Sequence, residues 1–412
     1  MDLSQSGLMA TPVMRCQTAL KPLPDLQAEP AAALRVALFS GNYNYVVDGP
    51  ARALNRLVAH IERRGGKALV FAPAARRPAF KHAGEMVAVP SVALPGRRRE
   101  YRLALGLPKA ARARLDAFRP TIVHVAAPDL LGLGALDYTR AKNIPVVASF
   151  HTRFDTYPRY YGLKALEPQV TRYLRYFYAR CARVYAPSDS MAAELRRDGI
   201  GADIRLWARG VDQALFNPGR RDMGWRRAQG FGDDDVVVAF VGRLVLEKGI
   251  DAFAGAVNAA QTANPSIRAL IIGDGPARAH FERALPGAVF TGHLDGEGLA
   301  RGYASADIFL NPSVTETFGN VTLEAMASGL PAVAAAAAGS QSLIAEGETG
   351  LLIADAASAE GYARALIALA EDGARRAQMG AAALNRARAF DWDVILDGLL
   401  ADYREVMIGS QA

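Results

Sequence analysis

The chain has 412 residues and a mass of 44.0 kDa, with 51% hydrophobic and 22% charged residues. That balance belongs to a folded globular protein, too long for one ordinary core and suited to two domains, and it excludes a disordered or fibrous chain. The net charge of +7 conceals a split: residues 1–212 carry 32 basic and 17 acidic side chains, net +15, whereas residues 213–412 carry 16 and 24, net −8. One half is therefore expected to meet an anionic surface or partner, and the other is not.

The two cysteines, Cys16 and Cys181, lie far apart, which gives neither a disulfide framework nor a zinc spacing and points to a reducing compartment. Residues 1–33 lack the apolar core of a signal peptide and read as a flexible tail. No window reaches the roughly 18 consecutive apolar residues of a membrane span. The expectation is a cytoplasmic protein able to sit peripherally on the inner face of the membrane.

In chain order, the apolar run Leu34–Phe39 predicts a buried strand, and Gly49-Pro50 opens a helix with Leu54, Leu57, Val58 and Ile61 on one face. Further strands are read at Ala68–Phe71, Ile122–Val125, Val146–Phe150 and Val184–Ala186. A helix is expected from Pro168 to Arg183, with Val170, Leu174, Phe177, Tyr178 and Cys181 on one face and Arg172, Arg175, Arg180 and Arg183 on the other. The pattern restarts at Val236–Val241, with a helix from about Gly249. It continues through Ala269–Ile272, Ala288–Phe290, Ile308–Leu310 and Pro331–Ala334. Strands alternating with helices imply an α/β protein of two doubly wound units, with the seam near Arg209-Gly210-Val211-Asp212. Ligands of such sheets bind beyond the carboxyl ends of the strands, so the site is expected in the cleft between the units.

Four constellations stand at strand ends. Gly242-Arg243-Leu244 with Glu247-Lys248-Gly249 places two cations beside a helix start, a site for phosphate or diphosphate. Taken alone, the pair suits a solvated turn equally well. Glu316-Thr317-Phe318-Gly319-Asn320 runs into a helix bearing Glu324. Its glycine permits close approach, its free amides suit an anion, and its carboxylates suit sugar hydroxyls. The loop Gly41–Gly49 before the first helix is neither a dinucleotide fingerprint nor a P-loop. His151 stands at a strand end, where ligands bind. Asp233-Asp234-Asp235 precedes a strand and reads as a solvated turn, so no metal is expected.

Together these stretches resemble the retaining, nucleotide-sugar-dependent glycosyltransferases with the GT-B fold, the large "glycosyl transferases group 1" family. The matching segments are Phe240–Gly249, Ile272–Pro276, Ser313–Gly319, Leu323–Pro331 and Gly347–Leu352, with Arg209–Asp212 and Phe216 like the family's interdomain junction. The resemblance implies two Rossmann-like domains facing across a cleft. Residues 1–33 form the tail, 34–210 the acceptor-binding domain, 211–391 the nucleotide-sugar-binding domain, and 392–412 a helix crossing back to the first. By the same resemblance, Arg243 and Lys248 hold the donor diphosphate, Glu316 contacts the donor sugar, and Glu324 binds the ribose. Gly242, Phe318, Gly319 and Asn320 meet sugar and phosphate, Gly292-His293-Leu294 forms the base loop, His151 lies near the donor sugar, and Gly49 faces the diphosphate. The donor is a co-substrate and no cofactor is implied. Where the family often has paired glycines and a glutamate after Val333, this chain has Ala338-Gly339-Ser340-Gln341-Ser342-Leu343.

The acceptor side is basic, with Arg97-Arg98-Arg99 and Arg102 around Tyr101 and Leu103, Leu105 and Leu107 following. Each basic residue near an anionic leaflet contributes about 1 kcal/mol. The stretch His151–Phe154 with Tyr157–Tyr160 is similar to glycolipid-making members, including sulfoquinovosyl-diacylglycerol synthases and GDP-mannose-dependent lipid mannosyltransferases. The expected reaction is retaining transfer of a hexosyl group from a GDP- or UDP-sugar to a membrane lipid or lipid-linked acceptor. A soluble sugar, sugar phosphate or polysaccharide acceptor is the alternative, and a nucleotide-sugar epimerase a further one. No nucleic-acid partner is expected, because no recognised module accompanies the charge.

Overall fold

The computed structural model describes residues 34–46, 48–94, 101–151, 153 and 164–410. The tail 1–33, the triplet Arg97–Arg99 and the Tyr157–Tyr160 stretch lie outside the described residues. The first unit contains β1 (Arg35–Phe39), β2 (Lys67–Pro73), β3 (Glu85–Val89), β4 (Ser91–Ala93), β5 (Arg102–Ala104), β6 (Ile122–Val125), β7 (Val146–Ser149), β8 (Arg183–Ala186) and β9 (Ile204–Leu206). Seven of these form a parallel sheet in the order β3-β2-β1-β6-β7-β8-β9, and β4 pairs antiparallel with β5. The second unit holds β10 (Val236–Val241), β11 (Ile267–Ile272), β12 (Val289–Gly292), β13 (Ile308–Asn311), β14 (Ala332–Ala335) and β15 (Gly350–Ile353), ordered β12-β11-β10-β13-β14-β15. Helices cover both faces, so central strands such as β6, β7 and β14 are buried along their whole length.

Strand order reverses at β1 in the first sheet and at β10 in the second, and a crevice opens where the connections leave on opposite sides. After β1, Asp48 caps the helix Gly49–Arg63 by accepting from the Ala51 amide at 2.8 Å, and that helix buries Leu54, Leu57, Val58 and Ile61. After β10, a 3-10 turn Leu246–Lys248 leads into the helix Ile250–Ala263.

The helix expected over Pro168–Arg183 is shorter, spanning Glu167–Tyr178. Leu174, Phe177, Tyr178 and Cys181 are buried as expected, but the chain has already turned out of the helix at Cys181. Arg183 is therefore not on a solvent-facing helix surface. It opens β8, is 8% exposed, and pairs with Asp203 at 2.8 Å and with Asp402 and Glu405 at 3.1 Å. Arg180 pairs with Asp137 at 2.6 Å.

The last helix, Trp392–Gly409, packs on the first unit, where Leu396, Leu399, Leu400, Tyr403 and Val406 join a core with Val36, Leu54, Val58 and Trp207. The exposed Arg63–Asp393 ion pair, at 2.6 Å, and a hydrogen bond between buried His60 Nε2 and Asp397 Oδ1, at 2.7 Å, border this contact. Fully burying an aliphatic side chain is worth about 1.5–3 kcal/mol, against about 0–1 for an exposed ion pair. The apolar face thus holds the helix. The chain passes between units twice at one place: the Val211 amide donates to the Phe390 carbonyl at 2.9 Å, and Trp392 packs directly against Gly210.

Candidate active site

Loops after β7, β8, β9, β10 and β13, with the start of the helix Gly49–Arg63, enclose a cavity of about 270 Å³. Of the residues singled out from sequence, Gly49, His151, Gly242, Arg243, Lys248, Glu316, Phe318, Gly319 and Asn320 line it. His293, Leu294 and Glu324 do not. His293 is exposed beyond β12, and Leu294 is half-buried against the second unit's core.

The helix Asn320–Ala327 begins at Gly319, whose φ of +95° suits glycine, and no side chain caps it. Asn320 and Val321, the first residues of this helix, line the cavity, and an uncapped helix start carries a partial positive charge suited to an anion. The approach of the two units is close: a Cβ on Gly49 would lie 2.9 Å from Asn320 Nδ2. Arg243 and Lys248 bring formal cations to the same cavity, and Lys248 Nζ donates to Glu316 Oε1 at 2.6 Å. Two cations, a helix start and one carboxylate are an arrangement that can hold an anion with a hydroxyl acceptor beside it.

Glu324 lies one turn further along its helix, half-buried, and accepts from Tyr303 Oη at 3.1 Å. Burial pushes its carboxyl up to about 7, opposed by the Tyr303 hydrogen bond and by Arg52 and Arg56 of the other unit. A carboxylate of this kind can accept from a pair of vicinal hydroxyls.

His151 shows both ring nitrogens engaged. Arg209 Nη2 donates to Nδ1 at 2.8 Å, so the ring proton sits on Nε2, which donates to Ser149 Oγ at 2.8 Å. Ser149 Oγ also meets His124 Nε2 at 2.8 Å, and His124 Nδ1 meets Tyr403 Oη. Burial and the Arg209 charge hold His151 well below its ordinary range, so the ring is neutral. Its backbone carbonyl faces the second unit and accepts from Thr317 Oγ1 at 3.4 Å.

The segment that departs from the family pattern, Ala338–Leu343, is helical and packs under the Glu316 loop, where the Gly339 amide donates to the Glu316 carbonyl at 3.1 Å. Across the cleft rim, Ser188 Oγ donates to the Thr317 carbonyl at 3.0 Å, and Ser190 Oγ lies 2.7 Å from Ser342 Oγ. The Asp233–Asp235 run forms the turn before β10. Asp233 receives a fork from Arg227 at 2.6 and 2.8 Å, and Asp235 pairs with Arg268 at 3.6 Å. Sequence reasoning missed Pro187, Arg209 and Asn311 as cavity residues. For Arg209 the signal was its place in the junction motif.

Residues 235–372 match the family model described as "Glycosyl transferases group 1", and residues 47–215 match "Glycosyltransferase Family 4". The chain is 34% identical over 386 residues to a GDP-mannose-dependent alpha-mannosyltransferase of Corynebacterium glutamicum, covering 92% of this chain and 90% of that protein. It is 34% identical over 298 residues to a sulfoquinovosyl transferase of Arabidopsis thaliana, covering 70% of this chain and 58% of the relative. In three dimensions it is similar to a sucrose-phosphate synthase of Thermosynechococcus elongatus, with a TM-score of 0.76 and 22% identity over 91% of this chain and all of that one. Two parallel-sheet units facing across a cleft, with the last helix returning to the first, are the GT-B fold. The chain belongs to the glycosyl transferases group 1 family and is a glycosyltransferase.

Proposed function

We propose that the protein transfers a hexosyl group, with retention at the anomeric carbon, from a GDP- or UDP-sugar to a membrane lipid or lipid-linked acceptor. The observation that carries the donor part is the convergence of Arg243, Lys248 and the uncapped helix start at Asn320 on one cavity. A nucleoside diphosphate gains negative charge as it leaves, and preorganised cations and amides offset that charge in the transition state. In this reading Arg243 and Lys248 hold the diphosphate, and the backbone at Gly242, Phe318, Gly319 and Asn320 meets phosphate and sugar. Glu316 accepts from the donor sugar, and Glu324 accepts from the ribose. Gly292-His293-Leu294 borders the base, and Gly49 faces the diphosphate. His151 stands beside the sugar with its carbonyl rather than its locked ring turned to the other unit. The GDP-mannose-dependent relatives favour a guanine nucleotide.

The acceptor part is supported by the β4–β5 hairpin. Val92 and Leu103 sit opposite each other and are 48% and 37% exposed, and Leu105 is 56% exposed. Exposed apolar side chains on a strand pair that carries Arg102 suit an anionic leaflet. Among the described residues no helix is long and apolar enough to cross a membrane, so contact through such a surface is the simplest route to a lipid. A panel of GDP- and UDP-sugars is screened for thermal stabilisation, then for transfer to extracted lipids and to soluble sugars and sugar phosphates. Stabilisation by a nucleotide sugar with product only in the water-soluble fraction overturns the lipid acceptor.

A further inference from the structure

Arg209 is 5% exposed, and its guanidinium carbon lies 4.5 Å from the centre of the Trp207 ring. Nη1 donates to the carbonyls of Trp207 and Ala208 at 2.7 and 3.3 Å, and Nη2 donates to His151 Nδ1 at 2.8 Å. A guanidinium has five N–H groups, so the Nε–H and one Nη2–H have no partner among the described residues. No carboxylate pairs with Arg209 there either. The other buried arginines differ: Arg183 has Asp203, Asp402 and Glu405, and Arg226 has Asp307 at 2.8 Å. A buried charge without a counter-ion is costly, and this cost is borne at a residue lining the cavity that also holds Arg243 and Lys248.

We infer that Arg209 is a third anion-binding side chain of the donor site, its remaining N–H groups taking an anionic oxygen of the bound nucleotide sugar. The inference rests on the donor-site reading above. The charge count supports it: the described lining residues carry three cations and one carboxylate, Glu316, which leaves two positive charges for the roughly two negative charges of a sugar-linked diphosphate. The guanidinium is also preorganised, since ring stacking, two carbonyls and the His151 ring fix its plane before any substrate arrives. Burial pushes Arg209 down to about 9, which still leaves it charged at neutral pH. The anionic oxygen has two possible sources, the diphosphate itself or an acidic group on the transferred sugar.

The test compares the full-length wild type with Arg209→Gln and Arg209→Lys, titrating GDP, UDP and guanosine by calorimetry and measuring KM for UDP-glucose and UDP-glucuronate. If the diphosphate is the partner, Arg209→Gln weakens GDP and UDP by about tenfold or more, Arg209→Lys weakens them less, and guanosine is unaffected. If an acidic sugar is the partner, GDP affinity is unchanged, but the KM for UDP-glucuronate rises about tenfold relative to UDP-glucose. A folded Arg209→Gln variant with unchanged affinities and KM values overturns the inference while leaving the donor site standing. A wild type that binds neither GDP nor UDP overturns the donor site and this inference with it. Should the glutamine variant not fold, 15N-arginine spectra of the wild type decide. The Nε–H resonance absent from Arg209→Lys must move on addition of GDP or UDP-glucuronate, and one that stays fixed overturns the inference.

Discussion

Lys248 Nζ lies 2.6 Å from Glu316 Oε1, with the two side chains only 29% and 18% exposed. The pair joins the loop after β10 to the loop after β13, on strands that are neighbours in the sheet. In the proposed donor site, a diphosphate would share the ammonium with a carboxylate already bound to it. Glu316→Gln removes the competitor and is expected to tighten bare GDP binding by about threefold to tenfold while slowing transfer at least tenfold. Lys248→Ala is expected to weaken GDP and cripple transfer, as is Arg243→Ala. Combining Lys248→Ala with Glu316→Gln should cost less than the two separate effects on transfer. Calorimetry and initial rates check all of these, and weaker GDP binding in Glu316→Gln would sink the competition argument.

Glu324 gives the site a pH dependence with a definite sign. Its carboxyl is raised by burial from 4.5 to about 7, so its contribution to stability is present below pH 4.5 and lost as pH rises through 7. If Glu324 binds the ribose as proposed, the ribose hydroxyls donate to the ionised form, so the affinity for GDP should rise between pH 6 and 8 with proton release on binding. Titrations in buffers of different ionisation enthalpy measure that proton. The step should vanish in Glu324→Gln, and a flat wild-type profile counts against the ribose role.

Arg183 ties β8 to the last helix through Asp402 and Glu405, and to the residue before β9 through Asp203. Arg183→Met leaves Asp402, whose carboxyl burial already raises, without its cation. Because the partners are partly solvated, the expected loss is about 2 kcal/mol, below the cost of breaking a fully buried pair. Urea unfolding and hydrogen exchange of amides in Trp392–Gly409 report it. Protection unchanged in that helix contradicts the assignment.

The hairpin reading predicts that Val92→Asp with Leu103→Asp reduces flotation with anionic vesicles at least fivefold and leaves GDP binding unchanged. Raising the salt on the wild type should act in the same direction. Flotation insensitive to both changes removes the hairpin from the interface.

Much of the cavity lining in the second unit could be read directly because its residues are contiguous. Gly242, Arg243 and Lys248 fall within seven residues, and Phe318, Gly319 and Asn320 are consecutive. The central strands were legible as unbroken apolar runs. The edge elements β3, β4, β5 and β9 were not, because half-exposed residues such as Val92, Leu103 and Leu206 interrupt the apolar signal. The helix before β8 was overextended because Cys181 happens to keep the apolar phase after the backbone has turned. The contact between Arg209 and His151 spans 58 positions and exists only because β7 and β9 end at the same face of the sheet. No local pattern encodes it.

The paired passage of the chain at Val211 and Phe390, with Trp392 seated on Gly210, has a mechanical meaning. A single connecting strand would act as a tether and let one unit tumble against the other. Two strands hydrogen-bonded side by side act as the spine of a book, permitting a swing about one line and resisting slip along it. Contacts on the far rim, such as Ser190 with Ser342, then behave as a clasp. Closing about that line would bring residues from both units to one geometry around whatever lies between them.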